Sequence, residues 1–312
     1  MKIIFFVLLL CKTLLVYSQD ENLIQYYDLV YLAEKKIIQE EYHKADSIYQ
    51  LAFSKSQAQA KDLYNTFLTA YYSQNEKRTL QMCKELGKKK FNIGFFQDSL
   101  FNLHLFQSIL DTVNYYSKCS DIEMADTELI YLNETLYYND QKIRHSENFE
   151  QLSDSIDQHN LNLLTQYITK KGYPSFYKVG YSFKYSSPFD YIHTFSLIFW
   201  HCRLRISDSI FNILRNELLN GHIPPITFQK MLIANDTKNA EWVFRPWMIP
   251  ELDSAQISYT NAIRKKHLLD SLEDYYLKYQ YQLKNDYTKF IFIDPWLKVA
   301  NKKIIESGFY GN

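Results

Sequence analysis

The sequence predicts a mostly α-helical protein in which a helix-hairpin array packs on a second, mainly helical domain. The chain has 312 residues but only 7 glycines and 7 prolines, and this glycine share is about a third of the usual ~7%. A β-rich fold with many turns is therefore disfavoured. The hydrophobic content of 46% is that of a folded protein, and the apolar residues recur at helical spacing. The length allows two modest domains.

Residues 1–18 read as a cleavable secretory signal peptide. The charged start Met1-Lys2 leads into an apolar run that ends at Lys12, and Ser18 supplies a small residue before the polar Gln19. The run is too short to span a bilayer, which takes ~20 apolar residues. We therefore expect a secreted or periplasmic protein whose mature chain starts near Gln19 and has no membrane span.

From residue 19 to residue 122 the pattern is that of paired helices. Four apolar faces follow one another: Tyr26, Val30, Ala33 and Ile37; Tyr42, Ala45, Tyr49 and Ala52; Leu63, Phe67, Ala70 and Tyr71; Leu80, Cys83, Leu86 and Gly87. A shift of 37 or 38 residues maps the first pair onto the second, which indicates a repeated helix hairpin. Glu34 is expected partly outside the first face, and the polar stretch Ser54 to Asp62 is expected to separate the hairpins.

The second helix of this pattern, Tyr42-x-x-Ala45-x-x-x-Tyr49-x-x-Ala52, resembles the second helix of a tetratricopeptide repeat. The period exceeds the ~34 residues of that family, and the Gly-Tyr signature of its first helix is missing. The resemblance implies a scaffold that binds a protein or a peptide. A purely structural spacer that packs on the next domain is the alternative.

From residue 123 to residue 312 we predict a second, mainly helical domain. Its motifs are Asp140-Gln141-x-x-Arg144, Asp157-x-x-Asn160, Gly172-Tyr173-Pro174, Val179-Gly180, His201, Gly221-x-Ile223-Pro224 and Asn261-x-x-Arg264. Their order and spacing resemble those of a bacterial family of unknown function that is often found in secreted proteins. The chain departs from that family, because Trp200 replaces a glutamine and the family's Asp-Arg pair and Q-x-Y-G element are missing after Pro224. These departures favour a binding or structural version over an active enzyme.

The candidate site residues are Asp140, Gln141, Arg144 and His201. Asp140 and Arg144 lie four positions apart, the spacing of a simple ion pair on a helix surface, worth ~0.3–0.5 kcal/mol. In the functional alternative these residues converge with His201 from separate helices, so that Arg144 binds a carboxylate or phosphate and His201 shuttles a proton. A core histidine bonded to a backbone carbonyl is the competing interpretation of His201.

Several classes of function and site lack support in the sequence. The formal net charge is zero, so no basic field favours nucleic acid. The chain has no Walker loop, dinucleotide fingerprint, C-x-x-C or H-E-x-x-H pattern, and we expect neither a cofactor nor a metal. Cys83, Cys119 and Cys202 allow one disulfide, but three buried thiols are the simpler expectation.

The leading functional hypothesis is an interaction protein that binds a protein or peptide partner through its helical array. The alternative is a hydrolytic enzyme with a site around Asp140, Arg144 and His201. Carbohydrate binding is weaker, because most of the 27 tyrosines and 21 phenylalanines fall at helical spacings that indicate core packing. The tail motif Phe290 to Ile293 is expected to form a strand or a docking segment.

Overall fold

The computed structural model describes residues 21–92, 94, 103–120, 122, 127–144, 147, 149–183, 191–202, 205–232, 252–285 and 290–293. These residues contain thirteen helices and no strand, which confirms the mostly α prediction. The predicted signal peptide lies outside the described residues, as does the stretch 233–250 in which two family elements are missing. Within the described part, no helix is long and apolar enough to cross a bilayer.

The helices follow one another with short connections over most of the chain. In order they are α1 (21–38), α2 (Tyr42–Lys55), α3 (Ala60–Tyr72), α4 (Glu76–Lys88), α5 (Leu103–Lys118), α6 (Thr127–Arg144), α7 (Phe149–Lys171), α8 (Phe176–Val179), α9 (His193–His201), α10 (Asp208–Leu219), α11 (Pro225–Leu232), α12 (Ser254–Lys266) and α13 (Leu272–Lys284). We refer to residues 21–122 as the array half and to residues 127–293 as the C-terminal half.

In the array half, α2 packs on α3, α3 on α4 and α4 on α5. The predicted face of α1 is confirmed, since Tyr26, Val30, Ala33 and Ile37 are all buried. Gly87 allows α4 and α5 to approach closely, because a Cβ atom there would lie 2.7 Å from the carbonyl oxygen of Val113. The paired-helix pattern therefore describes the real packing of this half.

The turns that follow α1 and α3 are built alike. Glu40 has a positive φ of 60° and Gln74 has one of 57°, and in each turn the next amide donates to the carbonyl five residues back. These turns lie 34 positions apart, so the 37- or 38-residue shift predicted from the apolar pattern is wrong. Helix α3 is apolar or buried all round, and its apolar positions therefore do not define a register.

Helix α3 is the central helix of the molecule. Every residue from Ala60 to Ala70 is buried, because α2, α4 and parts of the C-terminal half cover it. Lys61 and Asp62, which we expected in a polar connection, belong to this helix and are buried. Glu34 on α1 is also fully buried rather than partly outside its face. These charged residues pair with each other and with the C-terminal half.

In the C-terminal half, α6, α7 and α9 pack against one another, and α9 also packs on α11. The α12–α13 hairpin lies against α1, where the Tyr31 hydroxyl donates to the carbonyl oxygen of Leu268 at 2.7 Å and Lys35 pairs with Asp274 at 2.7 Å. The buried hydrophobic side chains form one cluster that runs through both halves. The domain boundary at residues 122 and 123 stays a prediction.

The tail motif Phe290 to Ile293 is a docking segment. The Asn65 side chain on α3 pairs with both backbone groups of Ile291, donating to its carbonyl at 2.7 Å and accepting from its amide at 2.9 Å. The Gln282 side chain of α13 accepts the next two amides, at 2.8 and 2.5 Å. The segment therefore covers α3 with its phenylalanine rings inside the core.

The three cysteines in the described part of the chain are free thiols. Cys83 and Cys202 are buried, and burial raises the pKa of each thiol to about 12. Cys119 is exposed, so the expectation of three buried thiols is wrong at this position. The reason is its location directly after the last residue of α5, beyond the buried face of that helix.

Candidate functional site

The predicted site residues Asp140, Arg144 and His201 come together where α6, α7 and α9 meet. Asp140 and Arg144 lie in the last turns of α6, four positions apart and hence on the same side of the helix. His201 is the last residue of α9, and Asp157 lies on α7. Because α6 packs on both other helices, all four side chains point into one junction.

Asp140 is the centre of this junction. Its side chain accepts hydrogen bonds from Arg144 Nε and Gln141 Nε2, each at 2.9 Å. The carboxylate also lies 2.7 Å from His201 Nδ1. Only 1% of the residue is exposed. The predicted ion pair between Asp140 and Arg144 is therefore present, but it is buried at Asp140 and not on the surface. Gln141 and His201 converge on the same carboxylate.

Arg144 bridges two carboxylates. Its Nη2 atom lies 2.8 Å from Asp140 Oδ1 and donates to Asp157 Oδ1 at 3.1 Å. These donors serve the chain's own aspartates, so the predicted role of Arg144 in binding an external carboxylate or phosphate finds no support in the geometry. We regard Arg144 as a positioning residue that fixes the two carboxylates relative to each other.

The Nδ1 atom of His201 bonds to a carboxylate and not to a backbone carbonyl. The distance from Nδ1 to Asp140 Oδ1 is 2.7 Å, and 16% of the histidine side chain is exposed. The interpretation of His201 as a core histidine on a carbonyl is therefore wrong. The imidazole lies at the edge of the core, with one nitrogen fixed from inside the protein.

The two aspartates have pKa values shifted in opposite directions. Burial alone would raise the pKa of Asp140, but the hydrogen bonds from His201 and Arg144 outweigh burial and hold the pKa below its usual range. For Asp157, burial dominates over the nearby charge of Arg144 and raises the pKa. Asp140 is therefore a carboxylate at neutral pH and can only accept, which means that His201 Nδ1 carries the proton between them.

Asp157 and Arg205 also belong to the junction of α6, α7 and α9, although neither was among the predicted site residues. Asp157 was predicted only as part of a family motif, and nothing in its local sequence distinguishes it from other aspartates. In the structure, Cys202 Sγ donates to the Asp157 carbonyl at 3.1 Å and ties α7 to the end of α9. Arg205 Nη1 lies 3.8 Å from Asp157 Oδ2, and Arg205 also pairs with the exposed Asp154.

The remaining motif residues support the fold away from this junction. Asn160 is buried and ties α7 to α6 through Asn139 at 3.2 Å. Gly180 has a positive φ of 54° and lies where a Cβ atom would be 2.4 Å from the carbonyl oxygen of Lys89. Arg264 donates to the carboxylate of Asp270 at 2.8 Å and closes the turn between α12 and α13. These positions have structural roles.

Asp140, Asp157 and His201 also form a group of potential metal ligands, with ligand atoms within 4.8 Å of one another. The arrangement does not fit an ion. Arg144 Nη2 already lies within 3.1 Å of both carboxylates, so a cation is present between them. The 2.7 Å between His201 Nδ1 and Asp140 Oδ1 is also shorter than the ~3.3 Å that separates two ligands of a tetrahedral zinc.

Comparisons with known proteins identify no relative of this chain. No family model matches the chain, and neither a curated protein nor a solved structure matches it. The resemblances to tetratricopeptide repeats and to the bacterial family of unknown function therefore stay predictions.

Proposed function

We propose that this protein is a hydrolytic enzyme in which His201 acts as the general base and Asp140 orients it. The observation that carries the proposal is the 2.7 Å contact between His201 Nδ1 and Asp140 Oδ1 at the edge of the core. A carboxylate that accepts the Nδ1 proton leaves the lone pair on Nε2, which is the tautomer required of a histidine base.

The proposed hydrolysis forms a bond from a water oxygen to the substrate, breaks the bond between the substrate and its leaving group, and moves one proton from the water to that leaving group. Nε2 of His201 takes a proton from a water molecule, and the resulting hydroxide oxygen attacks the electrophilic carbonyl carbon or phosphorus of the substrate. The imidazolium then returns the proton to the leaving group. Asp140 remains ionised throughout, in keeping with the lowered pKa that His201 and Arg144 give it against burial, and stabilises the imidazolium.

Arg144 and Asp157 act on the reaction through Asp140. Arg144 binds both carboxylates and so limits the rotation of the Asp140 side chain. A fixed carboxylate fixes the plane of the imidazole, because the Nδ1 hydrogen bond is directional. We therefore expect substitution of Arg144 to lower turnover less than substitution of His201.

The first experiment measures the reactivity of the His201 ring. Diethyl pyrocarbonate acylates an accessible neutral imidazole nitrogen, and peptide mass spectrometry gives the rate at each histidine. We expect His201 to react faster than the buried His267, whose pKa burial lowers to about 4. His222, paired with Glu217 at 2.6 Å, is an internal reference for a carboxylate-bound histidine.

The second experiment uses a panel of chromogenic esters, amides and phosphate esters. Turnover of any panel member should fall by ~10²–10⁴-fold in His201→Gln and stay unchanged in the control His222→Gln. A His201 ring as inert as that of His267, or equal turnover in His201→Gln and wild type, would reject the proposal.

A second candidate function is peptide binding by the array half, and two observations support it. The array already binds a segment of the chain through its backbone, because the Asn65 side chain pairs with both backbone groups of Ile291. The 34-residue spacing of its two turns is also the period of tetratricopeptide repeats. Since the chain's own segment covers α3, a partner would have to displace it.

For either function, the sequence of residues 1–18 supports a place outside the cytoplasm.

A further inference from the structure

A cavity lies between the two halves of the chain, away from the candidate site. Its array-half wall includes Tyr27, Gln59 and Asp62, and its C-terminal wall includes Asp270 and Lys278. Asp140, Arg144 and His201 do not line it. The space admits one or two molecules of the size of water.

The walls of the cavity belong to a buried cluster of charges. Glu34 pairs with both Lys61 and Lys278. Asp270 pairs with Lys278 at 2.8 Å and with Arg264 at 2.8 Å. Two of the three acids in this cluster are thus each neutralised by two bases, which is the condition for burying a charge without a large penalty.

Asp62 is the third acid and the least satisfied. Its Oδ2 atom accepts from the Tyr26 hydroxyl at 2.5 Å. Its Oδ1 atom has no hydrogen-bond donor within the described residues, although only 1% of the residue is exposed. Lys61 Nζ is 3.6 Å from Oδ1, which is too far for a hydrogen bond. A buried carboxylate oxygen without a donor destabilises the folded protein, because its desolvation is not compensated by a hydrogen bond.

The cavity wall presents two further polar oxygens beside Asp62, one from Gln59 and one from Tyr27. Gln59 donates from Nε2 to the Tyr177 hydroxyl at 2.7 Å and to the Gly221 carbonyl at 2.8 Å, which fixes the orientation of its amide. Its Oε1 atom and the Tyr27 hydroxyl have no hydrogen bond of ordinary geometry to a described residue, although the two side chains are neighbours. Asp62 Oδ1 and Gln59 Oε1 therefore both lack a donor among the described residues, although Lys61 and Lys278 also line the cavity and the Tyr27 hydroxyl can itself donate.

We propose that this cavity is a binding site for a water-sized hydrogen-bond donor, either water or an ammonium ion. The donor bonds to Asp62 Oδ1, and the oxygens of Gln59 and Tyr27 are its further acceptors. Water satisfies the two strongest acceptors with its two protons. Ammonium offers four protons and in addition a positive charge that the Asp62 carboxylate attracts.

The two sources differ in their effect on stability. Thermal unfolding of the full-length mature protein is followed in ammonium chloride and in sodium chloride at equal ionic strength. If ammonium is the ligand, Tm rises by several degrees with saturation in ammonium only, and the rise is lost in Asp62→Asn. Asp28→Asn, an exposed aspartate on α1, is the control for loss of one negative charge and keeps the rise.

Water is identified in a crystal of the wild-type protein. If water is the ligand, ammonium and sodium give the same Tm, and electron density lies within hydrogen-bond distance of Asp62 Oδ1. Well-ordered walls with no density between them overturn the proposal. These wild-type measurements decide even if Asp62→Asn does not fold.

Discussion

Replacing Asp140 by asparagine removes one negative charge and keeps the shape of the side chain. The variant therefore measures the contribution of the charge on which Arg144 and His201 converge. In the wild type, Asp140 accepts from Arg144 Nε at 2.9 Å and lies 2.7 Å from His201 Nδ1. An asparagine amide offers one oxygen in place of two and brings an NH₂ group toward these donors.

The size of the effect follows from burial and from the partners that remain. Breaking a buried ion pair by removing one partner costs ~3–5 kcal/mol. Arg144 is 24% exposed and keeps its bond to Asp157, so solvent and the second carboxylate offset part of the loss. We expect a decrease of ~2–3 kcal/mol in the free energy of unfolding, or ~3–5 °C in Tm.

The assay is urea unfolding at pH 7 followed by circular dichroism, with Asp154→Asn as the matched control. Asp154 lies on α7 in the same region and pairs with Arg205, but 82% of its side chain is exposed, so its substitution should cost less than ~1 kcal/mol. If Asp140→Asn and Asp154→Asn unfold at the same urea concentration, the reasoning about the Asp140 charge is refuted.

The pH dependence of this difference has a definite sign. Burial opposes ionisation of Asp140, yet His201 and Arg144 lower its pKa in the folded protein. A carboxyl with a lowered folded pKa stabilises the protein above its unfolded pKa of ~3.9 and loses this contribution as the pH falls through the folded value. The wild type should therefore exceed Asp140→Asn in stability at pH 7, and the gap should shrink below about pH 4.

Three further predictions test the packing around the site and between the halves. Gly180→Ala should cost at least ~2 kcal/mol in urea unfolding, because the new Cβ would lie 2.4 Å from the Lys89 carbonyl oxygen at a positive φ; an unchanged midpoint would contradict this close approach. Asn65→Ala removes two hydrogen bonds to Ile291, so we expect a loss of ~2 kcal/mol and faster proteolysis of the tail, and equal cleavage rates would argue against the docking. In protein expressed from Gln19, which lacks Cys11, Ellman's reagent should titrate one thiol, Cys119, in the native state and all three after denaturation, since burial raises the pKa of the other two thiols to about 12; a native count of two or more would show that these thiols are accessible.

The array half was predictable because its signal is local. Apolar residues such as Val30 and Ala33 repeat at helical spacing and are buried together, and this pattern needs no knowledge of distant contacts. The turn positions Glu40 and Gln74 carry no glycine, so nothing in the sequence marks the 34-residue spacing of these turns. Their positive φ angles become visible only in the structure.

The buried charges were not predictable for the opposite reason. Glu34, Lys61 and Asp62 look like solvated residues, and each helix alone would expose them. Lys278, which pairs with Glu34, is more than 200 residues away in the chain. Burial of such groups depends on compensation by charges from the other half, and a single sequence does not contain that pairing.

The candidate site was predictable in part. The spacing of Asp140 and Arg144 correctly placed both on one side of a helix, and His201 was correctly expected to approach them in the functional alternative. Asp157 was missed because the contact through Arg144 depends on how α6 and α7 pack. Because of this contact, Arg144 binds a carboxylate of the protein itself and not the external ligand that we expected.

The most direct test of the account is the tautomer of the neutral His201 ring, read from ¹⁵N chemical shifts of the imidazole. We predict a proton on Nδ1 and a lone pair on Nε2, because an ionised Asp140 can only accept at 2.7 Å. In Asp140→Asn this preference should be lost. A wild-type His201 with its proton on Nε2 would contradict the account, because no base would then be available at the site.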